Sequence, residues 1–258
     1  MAGISLKEAL AEIQHARNEC LELIQQLERF CPPNAAGEYP PTFRLIATPM
    51  LYSAWERCFT LCNSVALRLI REQTSHAEKL PPNGRALWLQ AAAFFKSFSS
   101  KVYNAPDLSD AADNKRGSKP SRFRALGDFL KELDAWSARP LDPGLATDEL
   151  VMTFSNVNPK VVELNADAVG ISAFPKFQQL KLGRLNDLVG RRNDIGHGAI
   201  IRPPDNSDFC DLKQFTIDTV TAYCNIHTDW LTSEFPPTAM ARLIALLKAV
   251  LLRLSVRS

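Results

Sequence analysis

A chain of 258 residues, 46% hydrophobic and 22% charged, can bury a substantial core, and its composition excludes a disordered or fibrous protein. The net charge of +2 excludes a global attractive field for polyanions, so any nucleic-acid affinity has to come from local clusters of Lys and Arg. The opening "MAGISLKEALAEI" lacks a basic stretch followed by an apolar one, so no secretory signal is expected, the cytoplasm is the expected location, and the six cysteines are expected as thiols.

Helical spacing recurs from end to end and no alternating strand pattern persists, which predicts an all-α fold. Ser5 and Glu8 have capping-box spacing at the start of a long first helix. That helix places Leu6, Leu10, Ile13, Cys20, Ile24, Leu27 and Cys31 on a narrow seam. The prolines of "CPPNAAGEYPP" stop it. A second long helix is expected from Phe43 to Glu72, kinked near Pro49, and a third through "RALWLQAAAFFKSF". Residues 104–122 have almost no large apolar side chains and read as an exposed loop.

Next comes a helix through "FRALGDFLKELDAW". After a proline-rich turn, Asn158 is placed to cap a helix with Pro159 at its first position. One continuous helix is expected through "FPKFQQLKLGRLNDLVGRRNDIG". After a proline loop, Ser207 or Asp208 is the expected cap of "DFCDLKQFTIDTVTAYCNIHTDWL". A hydrophobic helix over 236–258 closes the chain; Arg242, Lys248 and Arg253 interrupt it, so it is expected to be buried or partner-facing and not to cross a membrane. No fixed-period repeat and no domain boundary is evident, and 1–258 reads as one helical domain.

The helix through "LVGRRNDIG" carries charge on the wrong face. Leu185, Leu188, Val189 and Ile195 make its apolar stripe. Arg192, seven residues after Leu185, falls roughly 20° from it at about 100° per residue. A guanidinium on a core-facing stripe has to meet a carboxylate, a bound anion or a water-filled cleft. Gly183, Gly190 and His197 also follow one another at steps of seven, which keeps one side of the helix clear for something to approach closely. His197, between Gly196 and Gly198 where the helix runs out, belongs to the residue type that ordinarily titrates near neutrality. Arg192 and His197 differ by about 140° on a regular helix, so one straight helix does not aim both at one atom. Either the glycines unwind its end, or a second copy of the segment completes a site. A purely structural reading pairs Arg192 with a core carboxylate such as Glu56 and uses His197 to cap carbonyls.

Arg192, Asn193 and His197 in "RNDIGH" resemble the signature of the HEPN superfamily: an arginine, a polar residue after it, and a histidine four to six residues beyond the arginine. Two further stretches, "MLYSAWERCFTLCNSVALRLI" with its Trp-Glu pair and "FSNVNPKVVELNADAVGI", are similar to segments of bacterial HEPN families associated with conflict and defence. The resemblance covers roughly Phe43 to Leu231, leaving 1–42 as an N-terminal helix and loop. It implies a HEPN-like helical bundle and a metal-independent endoribonuclease that needs no cofactor, with two motif segments facing each other in a homodimer. A ribose 2′-hydroxyl would attack the adjacent phosphorus, so the substrate would be RNA. His197 would serve as general base or acid, Arg192 would hold the phosphate, and Asn193 would orient the site. Arg191 is a further candidate for gripping the RNA backbone, or a solvated surface arginine, and Glu56 a candidate for positioning Arg192. The implied role is a toxin or antiviral effector, with an antitoxin or regulatory protein as a possible partner. Where one toxin branch of the superfamily has a tyrosine that an antitoxin modifies, this chain has Ala199, which puts that mode of neutralisation in doubt. The alternative is a HEPN domain without catalysis, binding a nucleotide or a partner chain.

Two other clusters were weighed against solvated or core packing. Cys58 and Cys62 lie one turn apart and Cys224 and His227 have C-x-x-H spacing, a conceivable four-ligand zinc set; since cysteine also packs as a small hydrophobe, no metal site is expected. Lys115, Arg116, Lys119, Arg122 and Arg124 form either an RNA footprint or a solvated loop. The common phosphate-loop, dinucleotide, zinc-protease and serine-hydrolase motifs are missing, which withdraws support from those chemistries.

Overall fold

In the computed structural model, residues 4–103, 118–198 and 202–236 are described; positions 104–117 of the expected loop, Ala199 and the expected C-terminal helix lie outside the described residues. Ser5 opens α1 (Leu6–Phe30) with the capping box its spacing predicts: the Ser5 hydroxyl accepts from the Glu8 N–H at 3.3 Å and Glu8 Oε2 accepts from the Ser5 N–H at 2.8 Å. The buried positions of α1 are Ala9, Ile13, Ala16, Cys20 and Ile24, so the seam is centred on small residues that allow close approach, and Leu6, Leu10, Leu27 and Cys31 flank it.

The seam packs on α2 (Pro41–Gln73), whose buried residues cover most of its circumference and make it the central rod. Pro49 sits inside α2 without ending it. Around the missing donor, Thr48 Oγ1 donates to the Arg44 carbonyl at 2.7 Å and Ser53 Oγ to the Pro49 carbonyl at 3.0 Å. The last long helix, α9 (Asn206–Glu234), completes a three-helix core with α1 and α2. Trp55 and Tyr223 meet edge to face there, with ring centroids 5.3 Å apart.

The expected third helix is two. α3 (Pro82–Ala91) ends at Ala92, whose extended conformation redirects the chain into α4 (Ala93–Tyr103). The break serves packing: Leu87 and Trp88 stay in the main core, while Phe94, Phe95 and Phe98 stack on Phe129 of α5 (Ser118–Ser137). Ser118 to Arg122, expected as loop, belong to α5, as do Lys119 and Arg124. α6 (Pro159–Val169) starts as its sequence predicts, with Asn158 Oδ1 accepting from the Val161 N–H at 3.0 Å and Pro159 at the first position. Gly84 lets α3 lie against α6, since a Cβ there would stand 2.8 Å from the Ala168 carbonyl oxygen.

The long helix expected across 174–196 is also broken, into a single turn, α7 (Pro175–Gln178), and α8 (Leu185–Gly196). Leu180 and Leu182 both pack on the core, which positions two apart on a helix, about 200° from each other, cannot do. The helix therefore yields to an irregular link. The start of α9 also differs from expectation: its cap is Asp205, with no side-chain bond, and Asp208 lies inside the first turn. There Asp208 accepts from Arg184 at 2.6 Å and from Arg191, joining the N-cap and the middle of α8 to α9. Among the described residues there is no strand, and no helix is long and apolar enough to cross a membrane.

Asp208→Ala is expected to lower unfolding free energy by about 1 kcal/mol, because these ion pairs are one-quarter to one-third exposed and partly screened. The loss should shrink between low and high salt in urea titrations. A loss independent of salt would show that Asp208 acts there by something other than charge.

Candidate active site

Tyr52 on α2 organises the approach to the motif helix. Its side chain is buried, and its hydroxyl accepts from the Val157 N–H at 2.8 Å and donates to Glu56 Oε1 at 3.1 Å. Trp55, one turn along, donates its indole N–H to the Val157 carbonyl at 3.1 Å. Both polar groups of the Val157 peptide are thus paired inside the core by two aromatic side chains of α2, and the segment leading to α6 is fixed against it. Just before Val157, Phe154 and Ser155 adopt φ of 45° and 70°, a costly conformation for residues other than glycine. Burial pushes the Tyr52 phenol up to about 12, so it remains a neutral hydrogen-bond donor.

The exposed side of this clasp takes the misplaced arginine. The Arg192 guanidinium lies over the Tyr52 ring, with Cζ 5.1 Å from the centroid, and its Nη1 donates to Asn193 Oδ1 at 2.9 Å. Arg192 is half-buried, and among the described residues it makes no ion pair with a carboxylate. The expected direct pair with Glu56 is therefore replaced: Glu56 holds the hydroxyl of the tyrosine on which the arginine rests. Sequence spacing contained a signal for this, since Tyr52 precedes Glu56 by one helical turn. An aromatic face is a second place for a guanidinium on a core stripe, beside the carboxylate sought for it. Of the five N–H donors of a guanidinium, one is engaged by Asn193, so most of its edge is open to an anion.

Arg191 is differently occupied. Its ion pair with Asp208 ties it to α9, and any phosphate it gripped would have to compete with that carboxylate. Leu185, Leu188 and Val189 are buried as the stripe predicts, and Ile195 is half-buried.

His197 is exposed and ends α8 as its C-cap. Its N–H donates to the Asn193 carbonyl at 2.8 Å, so the helix stays regular up to the histidine and the glycines do not unwind it. The chain turns only at Gly198, whose φ is +68°. A Cβ at Gly183 or at Gly190 would meet nothing within 4 Å, so among the described residues the side kept clear of side chains is open. After the motif, the loop is held to the start of α2: Arg44 Nε donates to the Pro204 carbonyl at 2.8 Å, and Asn206 Oδ1 accepts from the Tyr39 N–H at 2.8 Å.

A second chemically distinctive cluster lies deeper in the core. Cys58 and Cys62 meet Cys224 of α9 at 3.4 and 3.6 Å between sulfurs, and all are free thiols. S–H donation from Cys58 and Cys62 holds Cys224 down at about 4 and pushes its two donors up. His227 is fully buried, and burial lowers it to about 4, so its ring is neutral.

An all-helical bundle with arginine, asparagine and histidine at the exposed end of a core helix defines a HEPN-type domain. The chain matches the RiboL-PSP-HEPN family over residues 12–233 and belongs to it. That match begins inside α1, so the N-terminal helix, packed on α2 and α9, is part of the family domain. No curated protein and no solved structure matches the chain. The superfamily comprises ribonuclease-like and nucleotide-binding modules, and its members often bind RNA and dimerise.

Tyr52→Phe keeps the ring beneath Arg192 and removes the hydroxyl, leaving the Val157 N–H buried and unpaired. The expected cost is about 1–3 kcal/mol in denaturant unfolding. An unchanged midpoint would mean that the Val157 clasp contributes nothing.

Proposed function

We propose that the protein is a metal-independent endoribonuclease, acting in the cytoplasm as a homodimer in which two copies of α8 face each other. The observation that carries this reading is the state of Arg192: a half-buried guanidinium held by an aromatic face and an amide, with no carboxylate among the described residues to neutralise it. A structural arginine on a core stripe is ordinarily paired with an acid. This one keeps its charge for a ligand, and a phosphodiester supplies both the charge and the two oxygens that a guanidinium fork accepts best.

The regular end of α8 supports the dimer. With the helix intact up to His197, Arg192 and His197 diverge, and the side at Gly190, open among the described residues, leaves room for a second helix to bring its own histidine and arginine across. In such a site, one His197 takes the proton from a ribose 2′-hydroxyl, the 2′-oxygen attacks phosphorus, and the P–O5′ bond breaks. The departing 5′-oxygen takes a proton from the other His197. Two arginines bear the charge developing on the nonbridging oxygens, and Asn193 fixes each guanidinium. The products are a 2′,3′-cyclic phosphate and a 5′-hydroxyl, and DNA, lacking the nucleophile, is inert. The role that fits such an activity is a toxin or antiviral effector restrained by a regulatory protein.

Labelled RNA incubated in EDTA tests the chemistry. The wild type is expected to cut RNA and leave the 2′-deoxy analogue intact. His197→Ala and Arg192→Ala should each slow cleavage by about a hundred- to ten-thousandfold with folding unchanged. Cutting only with added metal, or an unaffected His197→Ala rate, overturns the mechanism; RNA binding without any cleavage favours a binding module.

A further inference from the structure

The cysteine cluster of α2 and α9 is not used by the proposed nuclease. It begins roughly 9 Å and ends roughly 15 Å beyond Tyr52 along α2, on the side facing α9 rather than α8. Three thiols from two helices converge with no solvent: Cys58, Cys62 and Cys224 are fully buried, and their sulfurs all lie within 4.8 Å of one another. A tetrahedral zinc with Zn–S bonds of about 2.3 Å sets its sulfurs roughly 3.8 Å apart. The observed 3.4 and 3.6 Å separations need shifts of only a few tenths of an ångström to reach that figure.

An independent observation comes from His227, one turn after Cys224. Its Nδ1 is 3.1 Å from the Tyr223 carbonyl, and a carbonyl only accepts, so Nδ1 carries the proton. Nε2 is left as a bare lone pair, fully buried and, among the described residues, without a hydrogen-bond partner, although it does not lie within 4.8 Å of all three sulfurs. Leaving such an acceptor unpaired costs about 1–3 kcal/mol. A metal-binding imidazole has this same arrangement, with one nitrogen fixed by a backbone carbonyl and the other free.

We propose that Cys58, Cys62 and Cys224 form a buried structural zinc site that locks α9 to α2, with the His227 imidazole, one turn after Cys224, moving in as fourth ligand. Binding releases the protons of Cys58 and Cys62 to solvent, Cys224 already being a thiolate, and forms three Zn–S bonds and one Zn–N bond, with no change of oxidation state. The filled site carries a net charge of −1. Arg17 on α1, whose Nε is buried without a partner among the described residues and whose charge favours the Cys224 thiolate, is the nearby source of compensating charge. Zinc is favoured over harder divalent ions by the three thiolates. Because the site is structural, its loss is read in metal content and stability, independently of RNA cleavage.

The full chain, purified without chelator from zinc-containing medium, is expected to hold about one zinc per chain by elemental analysis. Cys224→Ser should remove most of it, and Cys20→Ser, a buried neighbour outside the ligand set, should retain it. The wild type provides a second measurement that does not depend on the folding of Cys224→Ser. Stripped under reducing conditions and given cobalt(II), it should develop thiolate charge-transfer and tetrahedral d–d absorption, and zinc should raise its Tm. Folded wild type with all thiols reduced, less than about a tenth of a zinc per chain and no cobalt absorption overturns the proposal. So does a Cys58–Cys224 disulfide in metal-free protein, or copper at full occupancy. A cobalt spectrum identical in His227→Ala overturns the assignment of His227 as fourth ligand.

Discussion

The contact on which the candidate site depends is the Arg192 guanidinium resting on the ring of Tyr52. A cation over an aromatic face contributes about 0.5–2 kcal/mol, less than a buried ion pair supplies but without consuming the charge. That difference matters chemically. A carboxylate would satisfy the arginine and occupy the edge that an anionic substrate needs, whereas an aromatic face supports it from one side only. Tyr52 is itself immobilised by Val157 and Glu56, so the geometry of the motif helix traces back to hydrogen bonds within α2 and between α2 and the segment before α6, and to the strained turn at Phe154 and Ser155.

Much of this was legible in the residues. Ser5 with Glu8 and Asn158 with Pro159 are local rules with local consequences, and both helices start where those rules put them. The stripe through Leu185, Leu188 and Val189 was readable from spacing alone, and it singled out Arg192. What spacing could not resolve was tertiary. Nothing local marks Ala92 as a break, since an alanine run favours a helix; the break exists because Phe94 and Phe98 find Phe129. Gln178 to Leu185 likewise leaves the helix because Leu180 and Leu182 share one core face. Arg191 looked available until Asp208 took it, a pairing across a loop that no periodicity reveals.

The two chemical clusters divide the labour of the three-helix core. At the end of α2 near the motif, aromatic side chains hold charge at a surface; further along, thiols and a neutral imidazole gather where no water reaches. The open side of α8 belongs to the first. A Cβ added at Gly190 would meet nothing within 4 Å among the described residues, and a second copy of α8 is proposed to take that space.

Gly190→Phe tests the proposed two-copy site most directly, because a Cβ there meets nothing within 4 Å among the described residues. Light scattering and RNA cleavage in EDTA, measured on the same sample, should show a folded monomer that does not cut. A variant that is fully active, whether as a monomer or as an undisturbed dimer, would contradict the claim that one α8 segment is half of the site.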